Sequence, residues 1–400
     1  MGSLRLLLRR KLASVRSPAR RGPILLCVPF VVLAGACSST ISGPSDTSAC
    51  DNGLAFALLP VPLSAIVSIT ALGWMGPPVH TIPTDHGGMY ITGTGINLVA
   101  PAAARITSIG QTRYLISPFR QGQSDYKVTA KLCGSYQLVL GHLVTVVDRI
   151  ATQIKTSDCR TYSTANETVE TCESRADVDV AVGETLGTVG GATAGAFDFG
   201  LYDSRQQNFF VNPGRYGAGV RNAICPYDPF PVDQRSQLYA RMQDGIIAAS
   251  GEAPVCGSMS VDVAGSARGV WVLQSNPVSQ TGDESSFLVL APHPMFPESR
   301  QTFSVGPSAI ADAPFGTHRG GRYPLQSSGR VNRPFRDVHA DGLIYCYAYD
   351  VPARNLSYFV HLAPGDVLTI EKVTHAAGAS PCGGDPATWS FSAAALSFIR

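Results

Sequence analysis

Charge is scarce in this 400-residue chain, where charged residues make up 15% and aromatics 8%. With 44% apolar residues, that balance excludes a disordered, charge-swollen polymer and allows sizeable cores. No block of like charges forms a tail, and no internal repeat sets a solenoid or propeller period. The sequence has no G-x-S-x-G nucleophile elbow and no phosphate-cradling glycine loop, so the commonest serine-hydrolase and nucleotide-binding signatures are missing. It has no C-x-x-C, which argues against a cysteine metal knuckle. Between residues 142 and 293 there is no histidine at all.

Long apolar runs are also missing. The most apolar stretch, "PILLCVPFVVLAGAC" at 23–37, is too short for a comfortable membrane span. It follows Arg5, Arg9, Arg10, Lys11, Arg16, Arg20 and Arg21 with no acid before it, the layout of a secretory signal; an uncleaved N-terminal anchor helix is the alternative. The end of the run, "LAGAC", resembles a bacterial lipoprotein box with Cys37 as the acylated residue, although "AGA" would also suit an ordinary signal peptidase. Parity favours the lipoprotein. Of ten cysteines, Cys27 leaves with the signal, and a lipidated Cys37 leaves an even eight for disulfides. The full chain carries +2; without the seven leader bases, 24 basic residues face 29 acidic ones, or −5. A mildly acidic exported protein is not a nucleic-acid binder.

Gly 40 and Pro 28 punctuate many short strand-sized runs, so the chain reads as mainly β. The expected layout is a signal peptide over 1–36 and a Ser/Thr/Gly-rich tether over 37–58. A first β-domain over 59–235 and a second all-β sandwich or barrel over 236–400 follow. One segment, "QRSQLYARMQDGI" at 234–246, has helical character. In the second domain "GVW" at 269–271, with Arg400 closing the chain, resembles lipocalin-type barrels. "DGLIYCYAYD" at 341–350 is an aromatic strand, and a concave pocket lined by Trp271, Tyr345 and Tyr347 is one expectation for it.

The first domain has three segments in a telling order. They are "TDHGGMYITGTGINLVAPAAARI" (84–106), "YQLVLGHLVTV" (136–146) and "VGETLGTVGGATAGAFDFGLYD" (182–203). Over roughly residues 80–205 this order resembles the lysostaphin-type zinc endopeptidases of the bacterial cell wall, metallopeptidase family 23. The resemblance implies an antiparallel β-sheet domain with zinc ligands at His86, at the position of Tyr90, and at Gly200. It also places acid/base groups at His142 and Asp198. Only His86 of the three ligand positions keeps a ligand, because a neutral phenol binds zinc poorly and glycine has no side chain.

The resemblance with those departures implies a pseudoenzyme: an exported envelope lipoprotein, at the periplasmic or outer surface, whose groove holds a cell-wall peptide, glycan or envelope protein partner. Tyr90 and Asp85 would then contribute to binding, and no cofactor is expected. Two alternatives stay open. One is an active zinc endopeptidase with a shifted ligand set including His86, His142 and Asp85 or Asp198. The other is a surface protein that binds ligand through its C-terminal domain. Bland readings compete for the same residues: Asp85-His86 as a turn before a glycine pair, His142 as a half-buried hydrogen-bonded histidine, and Asp198 as a relic bonded to Tyr90 or His86.

Overall fold

The computed structural model describes residue 50 and residues 53–400, apart from 78–79, 164–166, 192–194, 246, 279–283, 311–319, 325, 327, 349–354 and 377. The expected signal peptide over 1–36 and the expected acylation site Cys37 lie outside the described residues. No described helix is long and apolar enough to cross a membrane. Residues 44–400 form one compact unit.

The fold is mainly β, as the strand-sized runs imply. The first half runs through β1 (Ile66–Ile69), β2 (Gly87–Ile91), β3 (Ile96–Val99), β4 (Ala104–Ile116), β5 (Ser124–Lys131) and β6 (Tyr136–Leu143). It continues with β7 (Thr145–Val146), β8 (Cys159–Ser163), β9 (Thr168–Val180), β10 (Thr185–Val189), β11 (Ala196–Asp203) and β12 (Ala223–Ile224). The hairpin β13 (Gln243–Asp244) and β14 (Ile247–Ala248) leads to the second half. That half holds β15 (Gly269–Leu273), β16 (Phe287–His293), β17 (Phe296–Val305), β18 (Gly320–Pro324), β19 (Tyr345–Ala348), β20 (Leu356–Ala363), β21 (Val367–Thr374) and β22 (Leu396–Ile399).

A nine-stranded antiparallel sheet has the order β1-β2-β11-β6-β5-β4-β9-β8, with β12 on the far end of β11. Its inner face is apolar: Phe197, Phe199 and Leu201 of β11 and Leu138 and Leu140 of β6 are fully buried. Phe199 sits among Phe56, Phe197, Tyr227 and Phe230, with ring centroids 5.8–6.5 Å apart. Period-2 alternation then puts Asp198 and Gly200 on the outer face.

The second sheet has the order β18-β17-β16-β15-β22-β21-β20-β19. Its central strands, "GVWVL" and "FLVLA", are apolar at every position, the pattern of a strand covered on both faces. Trp271, Leu288 and Leu290 join Phe303, Tyr358, Leu368 and Phe398 in a core enclosed by this sheet. Val270, Val272, Phe287, Val289 and Ala291 point the other way, into the large core that begins at Phe56 and Ile69. The two halves thus share one apolar layer across the boundary expected near 235.

Trp271, Tyr345 and Tyr347 belong to the enclosed core, at 0%, 6% and 0% exposure, so they do not line the concave pocket anticipated for them. Arg400 covers Trp271 instead, its guanidinium carbon 4.3 Å from the ring centre. The helical segment is shorter than its pattern suggests, Val232–Tyr239. It stops because Ile69 bonds to Arg241 and Gln243 pairs with Ala248, drawing the backbone into sheet contacts. All eight remaining cysteines pair, as Cys50–Cys133, Cys159–Cys172, Cys225–Cys256 and Cys346–Cys382. Four disulfides fit an oxidising, exported environment.

Candidate functional site: a histidine–aspartate chain beside an open groove

The outer face of the first sheet brings His86, Asp85, His142 and Asp198 together, although they come from three segments of sequence. Asp198 on β11 lies directly between Gly88 of β2 and Gly141 of β6. A glycine at 141 leaves room for the Asp198 side chain. A side-chain carbon on Gly141 would stand 2.8 Å from Asp198 Oδ2.

His142 reaches this face through a backbone irregularity. The β5–β6 register slips between Tyr126 and Val128, and His142 adopts a left-handed φ of 59°. This bulge turns His142 outward next to Gly141, while Leu143 returns to the core at 0% exposure. A non-glycine residue at positive φ costs roughly 1 kcal/mol or more, a strain typical of functional positions.

The side chains form a continuous chain of opposite charges. His86 Nδ1 lies 3.0 Å from Asp85 Oδ1, and its Nε2 lies 3.4 Å from Asp198 Oδ1. The other Asp198 oxygen faces His142 Nε2 at 3.4 Å, and His142 Nδ1 lies 2.7 Å from Asp125 Oδ2. The Tyr202 hydroxyl hydrogen-bonds to Asp85, and burial raises its pKa well above the phenol range. The Asp125 hydrogen bond, working against burial, lifts the His142 pKa to about 9. Burial opposes protonation of His86, yet the Asp85 hydrogen bond and the Asp198 charge outweigh it and raise its pKa. His80 stacks edge-on against His86, centroids 5.7 Å apart, and against Trp74 at 6.1 Å. Burial, followed by the neighbouring His86, lowers the His80 pKa, so this ring stays neutral.

Two positions singled out by sequence are placed apart from this chain. Tyr90 shares the outer face but is 40% exposed, and Asp198 bonds to His86 rather than to it. Gly200 has its side-chain space filled, because a carbon there would lie 2.7 Å from the Tyr202 hydroxyl. The zinc ligand set that the resemblance implies therefore does not fit these residues. His86 and His142 each approach a different oxygen of Asp198, so the three residues do not bring one donor atom apiece within 4.8 Å of both others. Among the described residues the one such group is Cys159, Glu170 and Cys172, whose sulfurs are joined in a disulfide.

Asp125 and His80 were not visible as site residues in the sequence. Asp125 is 17 residues from His142, and only the β5–β6 hairpin makes them neighbours. A groove of about 390 Å³ extends from Asp198 and His142 along β5, β4 and β9, past Asp125, Lys127, Arg120 and Glu173 to Tyr114 and Tyr162. Its lining carries both signs of charge. The Arg120 guanidinium covers the Tyr114 ring at 4.1 Å, and Lys127 lies 3.6 Å from Glu173.

Fold and site together define a disulfide-bonded, all-β protein with a charge-alternating cluster beside an open polar groove. Compared with protein-family models, curated proteins and solved structures, the chain has no significant match.

Proposed function

We propose that this is an exported envelope lipoprotein whose lysostaphin-type sheet has lost its catalytic ligands and serves as a binding groove. The occupant is a cell-wall peptide or glycopeptide carrying both amino and carboxyl groups. The observation that supports this is the union of the Asp85–His86–Asp198–His142–Asp125 chain with the groove it borders. Both histidines have each ring nitrogen facing a carboxylate, so neither offers a free lone pair to a metal. Beyond them the groove wall carries both signs of charge in pairs, Lys127 with Glu173 at 3.6 Å and Arg120 with Glu167 at 3.7 Å, which a ligand bearing amino and carboxyl groups would exchange for its own contacts.

Cosedimentation of the purified mature chain with isolated cell-wall material tests this reading. Expected are saturable, salt-sensitive binding that Lys127→Glu weakens, no released peptide and no stoichiometric metal. Stoichiometric zinc together with chelator-sensitive cleavage would overturn it.

A further inference from the structure

A second cavity of about 370 Å³ lies in the C-terminal half, remote in sequence from the histidine–aspartate chain. Three arginines from three segments line it: Arg268 before β15, Arg300 in β17 and Arg336 after the loop at 331–334. Glu298 is the only carboxylate of the lining. Arg268 spends its Nε on the Val261 carbonyl at 2.7 Å, which leaves both Nη groups for another partner. Arg300 is held by the Phe296 ring, 4.9 Å from guanidinium carbon to centroid. Neither Arg268 nor Arg300 has an ion-pair partner among the described residues. Arg336 has only a loose one, Asp337 at 3.7 Å, and is two-thirds exposed.

The scaffold behind these cations is fixed. The buried Gln301 accepts a hydrogen bond from the Phe335 amide at 2.6 Å and donates to the Arg333 carbonyl at 3.1 Å. That pair of bonds locks the loop that delivers Arg336. Half-buried Pro292, Pro297 and Pro334 supply a rigid apolar wall. Burial, and then Arg336 close by, press the Arg268 pKa downward. Cations are thus gathered against their own repulsion in a concave, partly apolar site, which is the arrangement of an anion receptor.

We infer that this cavity binds a phosphorylated sugar or polyol, its phosphate held by Arg268, Arg300 and Arg336 and its carbon skeleton laid on the proline wall. Guanidinium forks match phosphate oxygens bidentately, and three of them suit a dianion better than a single carboxylate. The volume is too large for phosphate alone and lies within the range of small-molecule sites. The site is independent of the groove on the first sheet and stands whether or not that groove binds cell wall.

Isothermal titration of the purified full chain at low salt, with glucose 6-phosphate, inorganic phosphate and glucuronate as probes, tests the assignment. Arg300→Gln and Arg336→Gln are the variants, since neither side chain makes a structural hydrogen bond. The expected result is that glucose 6-phosphate binds best and that each variant weakens it by about tenfold or more, the cost of one charge-assisted bond. No binding of either phosphate at millimolar concentration, or unchanged affinity in both variants, would overturn the site. Equal affinity for inorganic phosphate would overturn the role of the proline wall. Equal affinity for glucuronate would overturn the choice of phosphate.

Discussion

Removing the Cys50–Cys133 bridge is the perturbation whose size the structure fixes most directly. Its two cysteines are 83 residues apart, the largest separation of the four, against 13 for Cys159–Cys172. In the chain-entropy account, closing a loop of that length removes about 15 cal/mol/K from the unfolded ensemble, or about 4.5 kcal/mol at 25 °C. The same account gives about 3 kcal/mol for the shorter bridge. The longer bridge also ties the entry segment, which carries the buried Phe56, to the β5–β6 turn next to Ser135 and Asp203. Equilibrium urea unfolding of Cys50→Ala/Cys133→Ala and of Cys159→Ala/Cys172→Ala, followed by tryptophan fluorescence, measures both. The expected order is a larger loss for the first pair, by about 1–2 kcal/mol. A loss under about 1 kcal/mol for the first pair, or a reversed order, would refute the argument that this bridge acts mainly by constraining the unfolded chain.

Other consequences concern the charged groups. Asp198→Asn removes the charge shared by the two imidazoles, so the pKa of His86 and of His142 should both fall; histidine titration by NMR that shows neither moving would break the proposed chain. His142 has a folded pKa raised to about 9 from 6.5, so its stabilising contribution is full below pH 6.5 and disappears as pH rises through 9. The ring is half-exposed and screened, so the contribution is roughly 1 kcal/mol or less, and His142→Gln should flatten the stability profile between those limits. Burial raises the Glu284 pKa from 4.5 to about 7, a linkage of the same sign at lower pH: its contribution is most favourable below pH 4.5 and is lost as the group ionises up to pH 7. Glu284→Gln can keep the acceptor for the Ile82 amide, so its stability relative to wild type should climb across that window by at most about 3 kcal/mol; a pH-independent difference would contradict the assignment.

Much of the architecture was legible because strands write themselves as alternation. "FDFGLY" announces Phe197, Phe199 and Leu201 inside and Asp198 outside, and the structure places them so. Cysteine parity signalled four bridges, but pairing depends on which strands meet, and that is not local. The site was half legible. His86, His142 and Asp198 could be singled out, whereas Asp125 and His80 could not, because their roles depend on a hairpin register and on ring packing. The outward turn of His142 depends on a bulge, and nothing in "GHL" distinguishes a bulged strand from a regular one except the preceding glycine. The two-faced burial of β15 and β16 was written in their unbroken apolar runs, yet it takes the assembled fold to show that the second face meets the first half.

That shared layer bears on how the site is held. The loop from His80 to His86 carries two of the three clustered histidines and has little regular structure of its own. It is fastened from the other half: Glu284 accepts the Ile82 amide at 2.9 Å, and the buried Ser304 hydroxyl of β17 bonds the Thr81 carbonyl at 2.7 Å. His293 of β16 faces Asp244 at 3.1 Å, and the Trp74 indole, which packs on His80, lies 3.4 Å from the same carboxylate. The C-terminal sheet thus acts as the floor on which the His86 loop is set, and its stability is part of the geometry of the first sheet. A truncated first half would therefore lose both the apolar layer under the sheet and the hydrogen bonds that aim His86 at Asp198.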